Sequence, residues 1–288
     1  MPFRSEFNED AYVQLHPDVA AAIRHGIVGS AWQHFTLHGF AEGRIWVAKP
    51  DALRGVLQEI APDDEMLRDN TAHYFDVGES ALQVIVNALE SLRRPAVSVT
   101  RILDLPCGHG RVLRFLRNAF PAAQLTACDL NRAGVAFCAE KFGAVPVVST
   151  TDVAAIPLTE PFDLIWCGSL LTHLPREKCA EFLALFQRLL APGGLVVFTL
   201  HGRHCETDLV TGKHRYGLDD AQIATLLAEY RRSGFGYVDY ADSPGYGISL
   251  ALPSWVLAHF VQQPGWQLVT YHETAWDKRQ DVVALRKI

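Results

Sequence analysis

The 288-residue sequence lacks several signatures that would fix a chemistry outright. Its six cysteines, Cys107, Cys128, Cys138, Cys167, Cys179 and Cys205, include no CxxC pair, which leaves a zinc ribbon or dithiol redox site without ligands and reads as reduced thiols of a cytoplasmic protein. A CxxxCxxC cluster is absent, and with it radical chemistry; no HExxH helix supports a zinc hydrolase. Positive charge is not in excess. Lys and Arg number 26 against 32 Asp and Glu, a net −6, so the field of the whole molecule repels polyanions and nucleic acid is not an expected partner. The first twenty residues carry Arg4, Glu6, Glu9, Asp10 and Asp18 and no apolar core, which argues against a secretory leader. Residues 243–272 hold no Asp, Glu, Lys or Arg, yet Pro253, Gln262, Gln263, Pro264 and Gly265 interrupt them, so no membrane span is expected. With 49% apolar and 20% charged residues, the chain can bury a sizeable core, as one large domain or a main domain with a small appendage.

Periodicity divides the chain. Residues 9–25 read as one short helix or two broken at Pro17, and residues 30–38 as another closed by Gly39. His34 and His38 share a helix face with no third ligand nearby and read as packing residues. Asp51 to Arg94 reads as helical, with Ala81, Val84, Ile85, Ala88, Leu89 and Leu92 on one face. From Val97 onward, strand-like runs at 101–105, 124–128, 145–149, 162–167 and 194–200 alternate with helical stretches at 109–119, 131–142 and 175–190. That alternation predicts an α/β fold: a parallel sheet with helices on both faces. Gly193 and Gly194 are expected to close the last of those helices. Trp266–Tyr271 and Asp281–Leu285 are too close for a crossover helix and should pair antiparallel.

The run Arg101 to Arg111 is an apolar strand, a glycine turn and a helix start, the place where open parallel sheets bind ligands. Gly108 and Gly110 let a backbone approach a ligand closely, or simply make the turn. Leu113 stands where a dinucleotide fingerprint needs its third glycine, and no Gly-Lys-Ser/Thr follows, so NAD and Walker-type phosphate binding are disfavoured. Asp129, at the end of the next strand, can accept both hydroxyls of a ribose.

Asp104 to Gly110, followed by Asp129, resembles the cofactor motif of class I S-adenosylmethionine (SAM)-dependent methyltransferases, and the resemblance spans roughly residues 70–288. Pro106 replaces the usual first glycine. The resemblance implies a Rossmann-like, seven-stranded, mostly parallel sheet with an antiparallel last strand, plus an N-terminal helical extension and a lid insertion. It implies SAM as cofactor, with Asp104 near the methionyl amine, Pro106, Cys107, Gly108 and Gly110 as the loop, and Asp129 with Leu130 at the ribose. It further implies that Asp152 and Val153 meet the adenine and that Cys167, Gly168 and Ser169 line the methionyl side. Asp163 reads as structural, setting the entry to its strand.

A sulfonium methyl is already electrophilic, so the protein must align an acceptor and, for a hydroxyl, take its proton. His173, just past the fourth strand, is a candidate base, or a helix-start residue bonded locally; His201, after the fifth strand, is the second candidate. His201 and His204 lack the partners of a metal site, so no metal is expected. Residues 201–266 are far longer than a crossover needs and are read as a lid. Its aromatics Tyr237, Tyr240, Tyr246 and Trp255 either stack on an acceptor or form the lid's own core. The expected organisation is a helical module over 1–50, a helical extension over 51–96 and a SAM-binding methyltransferase domain over 97–288. Tyr12, His16 to Val19, Trp32, Gly39 and Glu42-Gly43-Arg44 resemble a helical module of bacterial surface-polysaccharide enzymes, and Trp276 to Val282 resembles an ending found in glycan-linked methyltransferases. No Asn/Asp-Pro-Pro-aromatic run follows the fourth strand, which argues against nucleobase amines. The expectation is therefore a cytoplasmic enzyme that O-methylates a sugar, polysaccharide precursor or other small metabolite. Its rival is a non-catalytic module binding SAM or a glycan; a homo-oligomer is compatible with either.

Overall fold

The computed structural model describes residues 7–46, 53, 55–68, 70–159 and 161–288. The chain divides into two compact units, Met1–Gln58 and Glu59–Ile288.

In the smaller unit, helix α1 (Glu9–Leu15) starts at Asn8, whose side chain accepts from the Ala11 amide at 3.0 Å. Pro17 ends it and opens α2 (Pro17–Arg24), where a proline costs nothing because the first amides of a helix have no partner. Helix α3 (Ala31–His34) is capped by Ser30 and runs on as a wider turn over Phe35–Gly39. Phe7, Tyr12, Val19, Ala31 and Phe35 form the unit's core. His34 is buried there and bonds the Tyr12 hydroxyl at 3.2 Å.

The larger unit begins with turns rather than helix. Helix α4 covers only Thr71–Ser91, so the helix expected over 51–94 is corrected to its second half; residues 51, 52, 54 and 69 lie outside the described set. Pro62 and the carboxylates around it explain the loss: Asp64 accepts from the Met66 amide and the Tyr74 hydroxyl, bonds of a turn.

Strands β1 (Arg101–Asp104), β2 (Gln124–Asp129), β3 (Val145–Val148), β4 (Phe162–Cys167) and β5 (Leu190–His201) alternate with helices α5 (Leu113–Ala119), α6 (Arg132–Phe142) and α7 (Arg176–Leu189). After β5 come α8 (Arg203–Thr211), α9 (Asp220–Ser233), the hairpin β6 (Phe235–Tyr240) and β7 (Ser243–Ala251), and α10 (Pro253–Val256). β8 (Trp266–Trp276) and β9 (Gln280–Lys287) end the chain. The main sheet has seven strands in the order β3-β2-β1-β4-β5-β9-β8. β1 to β5 are parallel; β9 pairs antiparallel with β5 and with β8. This is the Rossmann-like arrangement expected from the sequence.

Both faces of the sheet are buried, and successive residues point to opposite cores. Leu103, Ile165, Val196, Phe198, Val283 and Leu285 join one core with α7 residues Phe182 and Phe186. Ile102, Leu164, Trp166, Leu195, Val197, Val282 and Ala284 join the other with Ile85, Leu116 and Val135. Gly193 and Gly194 do not close α7, which ends at Leu189; they lie in an irregularity of the β4–β5 pairing, where Gly193 takes φ +75°. A Cβ on Gly194 would stand 2.9 Å from the Ala191 and Phe162 carbonyl oxygens, so the bulge needs glycine for space.

Asp163 ties the sheet's lower end together. Its carboxylate accepts from the Thr100 amide (2.8 Å) and hydroxyl (2.7 Å), the Arg101 amide (3.1 Å) and Arg94 (3.1 Å). Burial raises its pKa, but those donors prevail and hold it below the ordinary value. A depressed folded-state pKa contributes stability above the unfolded value that is lost as pH falls through the folded one. Asp163→Asn is accordingly expected to cost about 1–3 kcal/mol at pH 7. Urea melts of the two proteins should begin to converge as pH falls below about 4, the unfolded carboxyl pKa, and meet only below the depressed folded one.

Candidate active site

The carboxyl ends of the parallel strands form one rim, and the glycine turn sits on it. Asp104 ends β1 with its carboxylate 1% exposed and neither oxygen hydrogen-bonded. Burial first, then the charge of Asp129, pushes its pKa well up, with Arg111 opposing. A buried carboxyl without donors costs about 1–3 kcal/mol, a cost that a ligand's ammonium group would relieve. The loop follows: Pro106 after a cis peptide bond, Cys107 buried with its thiol donating to the Gly108 carbonyl, then Gly108 at φ +51°. Nothing lies within 4 Å of where a Cβ on Gly108 would stand, so its backbone faces open space. Gly110, at φ +80°, is closed in by Phe142 and Cys138, and Gly134 of α6 presses on the Gly108 carbonyl.

Asp129 ends β2. One carboxylate oxygen accepts the Gly108 amide at 2.8 Å and the other the Asn131 amide at 2.9 Å, which locks the loop to the second strand; Leu130 beside it is exposed. After β3, Asp152 accepts the Ala154 amide at 3.0 Å and starts a short turn in which Val153 is buried. Beyond β4, the Cys167 side chain is wholly buried, so only its backbone can meet a ligand. Trp166 leaves Gly168 no room for a Cβ. Ser169 adopts φ +57°, a strained conformation for a residue with a side chain. The Thr199 hydroxyl accepts its amide (2.8 Å), and Gln280 binds both the Thr199 hydroxyl (2.6 Å) and the Ser169 hydroxyl (3.1 Å).

Ser169, His173 and His201 share a cavity of about 450 Å3. His173 lies in a short turn, Leu171–His173, and its Nδ1 donates to the Gly247 carbonyl at 2.7 Å. A carbonyl only accepts, so Nδ1 carries the proton and Nε2 keeps its lone pair. Burial depresses the pKa of His173, with the Gly247 bond opposing. Tyr246 stacks on the ring at 4.9 Å, and the His201 ring lies 6.1 Å away. His201 is 4% exposed with Nδ1 unpartnered; burial, then His173, pushes its pKa down to about 3.

The insertion supplies His214, Tyr216, Gly217, Tyr240 and Ile248 to the cavity wall. Of its candidate stacking residues, Tyr240 lines the cavity, the Tyr237 hydroxyl donates to Asp239, and Trp255 is a core residue packed on Phe235 and Phe260. Arg111, Thr199 and Gln280 were not singled out from sequence. Gln280 falls inside the Trp276 to Val282 ending, but nothing local shows that β9 carries it to the rim. His204 pairs with Asp208 at 3.6 Å rather than with other histidines.

Residues 102–194 match the family model described as a methyltransferase domain. That segment, about a third of the chain, is therefore similar to a methyltransferase domain. A malonyl-[acyl-carrier protein] O-methyltransferase of Enterobacter lignolyticus is 33% identical over 111 residues, 37% of this chain and 41% of that protein. A phthiotriol/phenolphthiotriol dimycocerosates methyltransferase of Mycobacterium ulcerans is 31% identical over 110 residues, 36% and 38% of the two chains. The chain thus matches less than half the length of these relatives. Streptomyces venezuelae DesVI shares the fold at a TM-score of 0.50 and 14% identity, over 74% of this chain and 92% of that one. No helix among the described residues is long and apolar enough to cross a membrane.

The burial of His201 makes a pH prediction. With a pKa near 3, His201 stays neutral where an ordinary histidine titrates. Its ring resonances in histidine-resolved NMR are expected to stay fixed from pH 8 to about pH 5, across the ordinary histidine pKa of about 6.5. A midpoint near that value would show that the ring is not enclosed as described.

Proposed function

We propose that the protein is an enzyme that O-methylates a sugar, polysaccharide precursor or other small metabolite, with His173 as general base. The observation that carries this reading is His173 itself: a neutral imidazole with its free Nε2 fixed by the Gly247 carbonyl, on a cavity that also reaches the cofactor rim at Ser169. SAM, when bound, supplies an electrophilic methyl group. The residues present fit it. The orphaned Asp104 carboxylate suits the methionyl ammonium, the open backbone of Gly108 admits close approach, and Asp129 offers its remaining lone pairs to the ribose hydroxyls. Asp152 with the Val153 amide would meet the adenine, and the backbone of Cys167 to Ser169 the methionyl chain.

His173 Nε2 takes the acceptor's hydroxyl proton as the oxygen attacks. Its lowered pKa keeps it unprotonated at neutral pH. His201, with its pKa pushed down to about 3, is a poor base. The insertion over 201–266 acts as the lid: it walls the cavity and excludes water from the reacting atoms. The six buried, free thiols suit a reducing cytoplasm. A carbohydrate acceptor is favoured by the N-terminal module and the Trp276 to Val282 ending.

Two variants test this. Asp129→Ala is expected to weaken S-adenosylhomocysteine binding by about 1–3 kcal/mol in isothermal titration; unchanged affinity would remove the ribose assignment. His173→Ala should lower turnover about a hundredfold or more with cofactor affinity held, as for a lost base. In the parent, turnover should be flat from about pH 7 upward and fall only below the ordinary histidine pKa of about 6.5. Methyl transfer from labelled SAM into nucleotide sugars or polysaccharide fractions is the direct assay.

A further inference from the structure

The cavity beside His173 carries a charge pattern that neutral sugar binding does not require. Arg68, Arg111 and Arg279 all line it, against one carboxylate, Asp277. Asp277 lies 3.6 Å from His73, and among the described residues none of the three guanidinium groups has an ion pair or a side-chain hydrogen bond. Arg111 is half-buried and rests over the Trp276 ring at 5.8 Å, a contact that keeps a cation in place without neutralising it. Three arginines against one carboxylate around one concavity, in a chain whose net charge is −6, mark a local reversal of the molecule's field. His201 lines the same wall and is 4% exposed, and its enclosed Nδ1 has no partner among the described residues.

We infer that the acceptor is an anion: it carries a carboxylate or phosphate group held by Arg68, Arg111 and Arg279. Guanidinium groups are suited to both anions because their paired N–H donors match two oxygens at once. The anionic group then serves as an anchor at one end of the cavity, and the hydroxyl to be methylated lies toward His173. This inference rests on the methyltransferase reading for its reaction but not for its binding site.

The two are separable by titration. S-adenosylhomocysteine titrated alone reports on the cofactor reading. Pyrophosphate and malonate are then titrated at fixed ionic strength, into the free protein and into the protein saturated with S-adenosylhomocysteine. Saturable one-site binding is expected in both states for at least one anion, and which of the two binds more tightly tells a phosphorylated acceptor from a carboxylated one. The double variant Arg68→Asn, Arg279→Ser should lose at least tenfold of that affinity. Asn is chosen because residue 68 has φ +44°, a conformation Asn tolerates. Circular dichroism and S-adenosylhomocysteine affinity in the double variant report whether its fold is intact. Failure to saturate, equal affinity in the folded variant, or displacement of the anion by S-adenosylhomocysteine would overturn the proposal, the last because the guanidinium groups would then belong to the cofactor. Should S-adenosylhomocysteine itself not bind, the function reading falls while the anion titration of the free protein still decides the cavity.

Discussion

A sheet covered on both faces has no room for polar chemistry along its strands; groups that must meet a ligand can stand only where the strands stop. In this protein that constraint organises everything else. Most interior positions of β1, β4, β5 and β9 are committed to one of two apolar cores, and Asp104, Asp129, Ser169 and His201 all fall at the end of a strand or just past it. The same burial fixes their properties. Asp104 and His201 are held away from solvent because they cap a dry sheet, and that is why one carboxyl is pushed toward neutrality and one imidazole kept neutral.

Much of this was legible in the sequence because it is local. Apolar runs such as Phe162–Cys167 betray a doubly buried strand, and the Asp104 to Gly110 turn with Asp129 at the next strand's end specifies the loop and its anchor together. The failures share a cause too. Apolar spacing alone did not reveal that Pro62 and Asp64 would turn the chain before α4, since a helix start is decided by side-chain bonds to the backbone as much as by amphipathicity. Gly193 and Gly194 looked like a helix stop because glycine serves both helix ends and bulges; which of the two depends on the neighbouring strand.

The cavity was the least legible part, for a topological reason. Its wall draws on residues around 66–77, on Arg111, on the ends of β4 and β5, on the insertion and on the β8–β9 turn. No single window of sequence contains the pattern. Gln280 shows the difficulty well: it matters because the antiparallel return of β9 sets it beside Thr199 and Ser169, more than eighty residues away from the first and over a hundred from the second. Only the folded sheet reveals that a glutamine from β9 hydrogen-bonds Ser169, whose backbone is left-handed.

The bond from His173 to the Gly247 carbonyl ties the turn that follows β4 to the insertion: His173 ends the turn Leu171–His173, while Gly247 lies on β7. A graft of a foreign insertion onto this scaffold would therefore alter proton affinity and tautomer at the imidazole even if the new pocket matched the old one in shape. The shape of the insertion and the protonation of the imidazole are thus coupled through a single backbone oxygen.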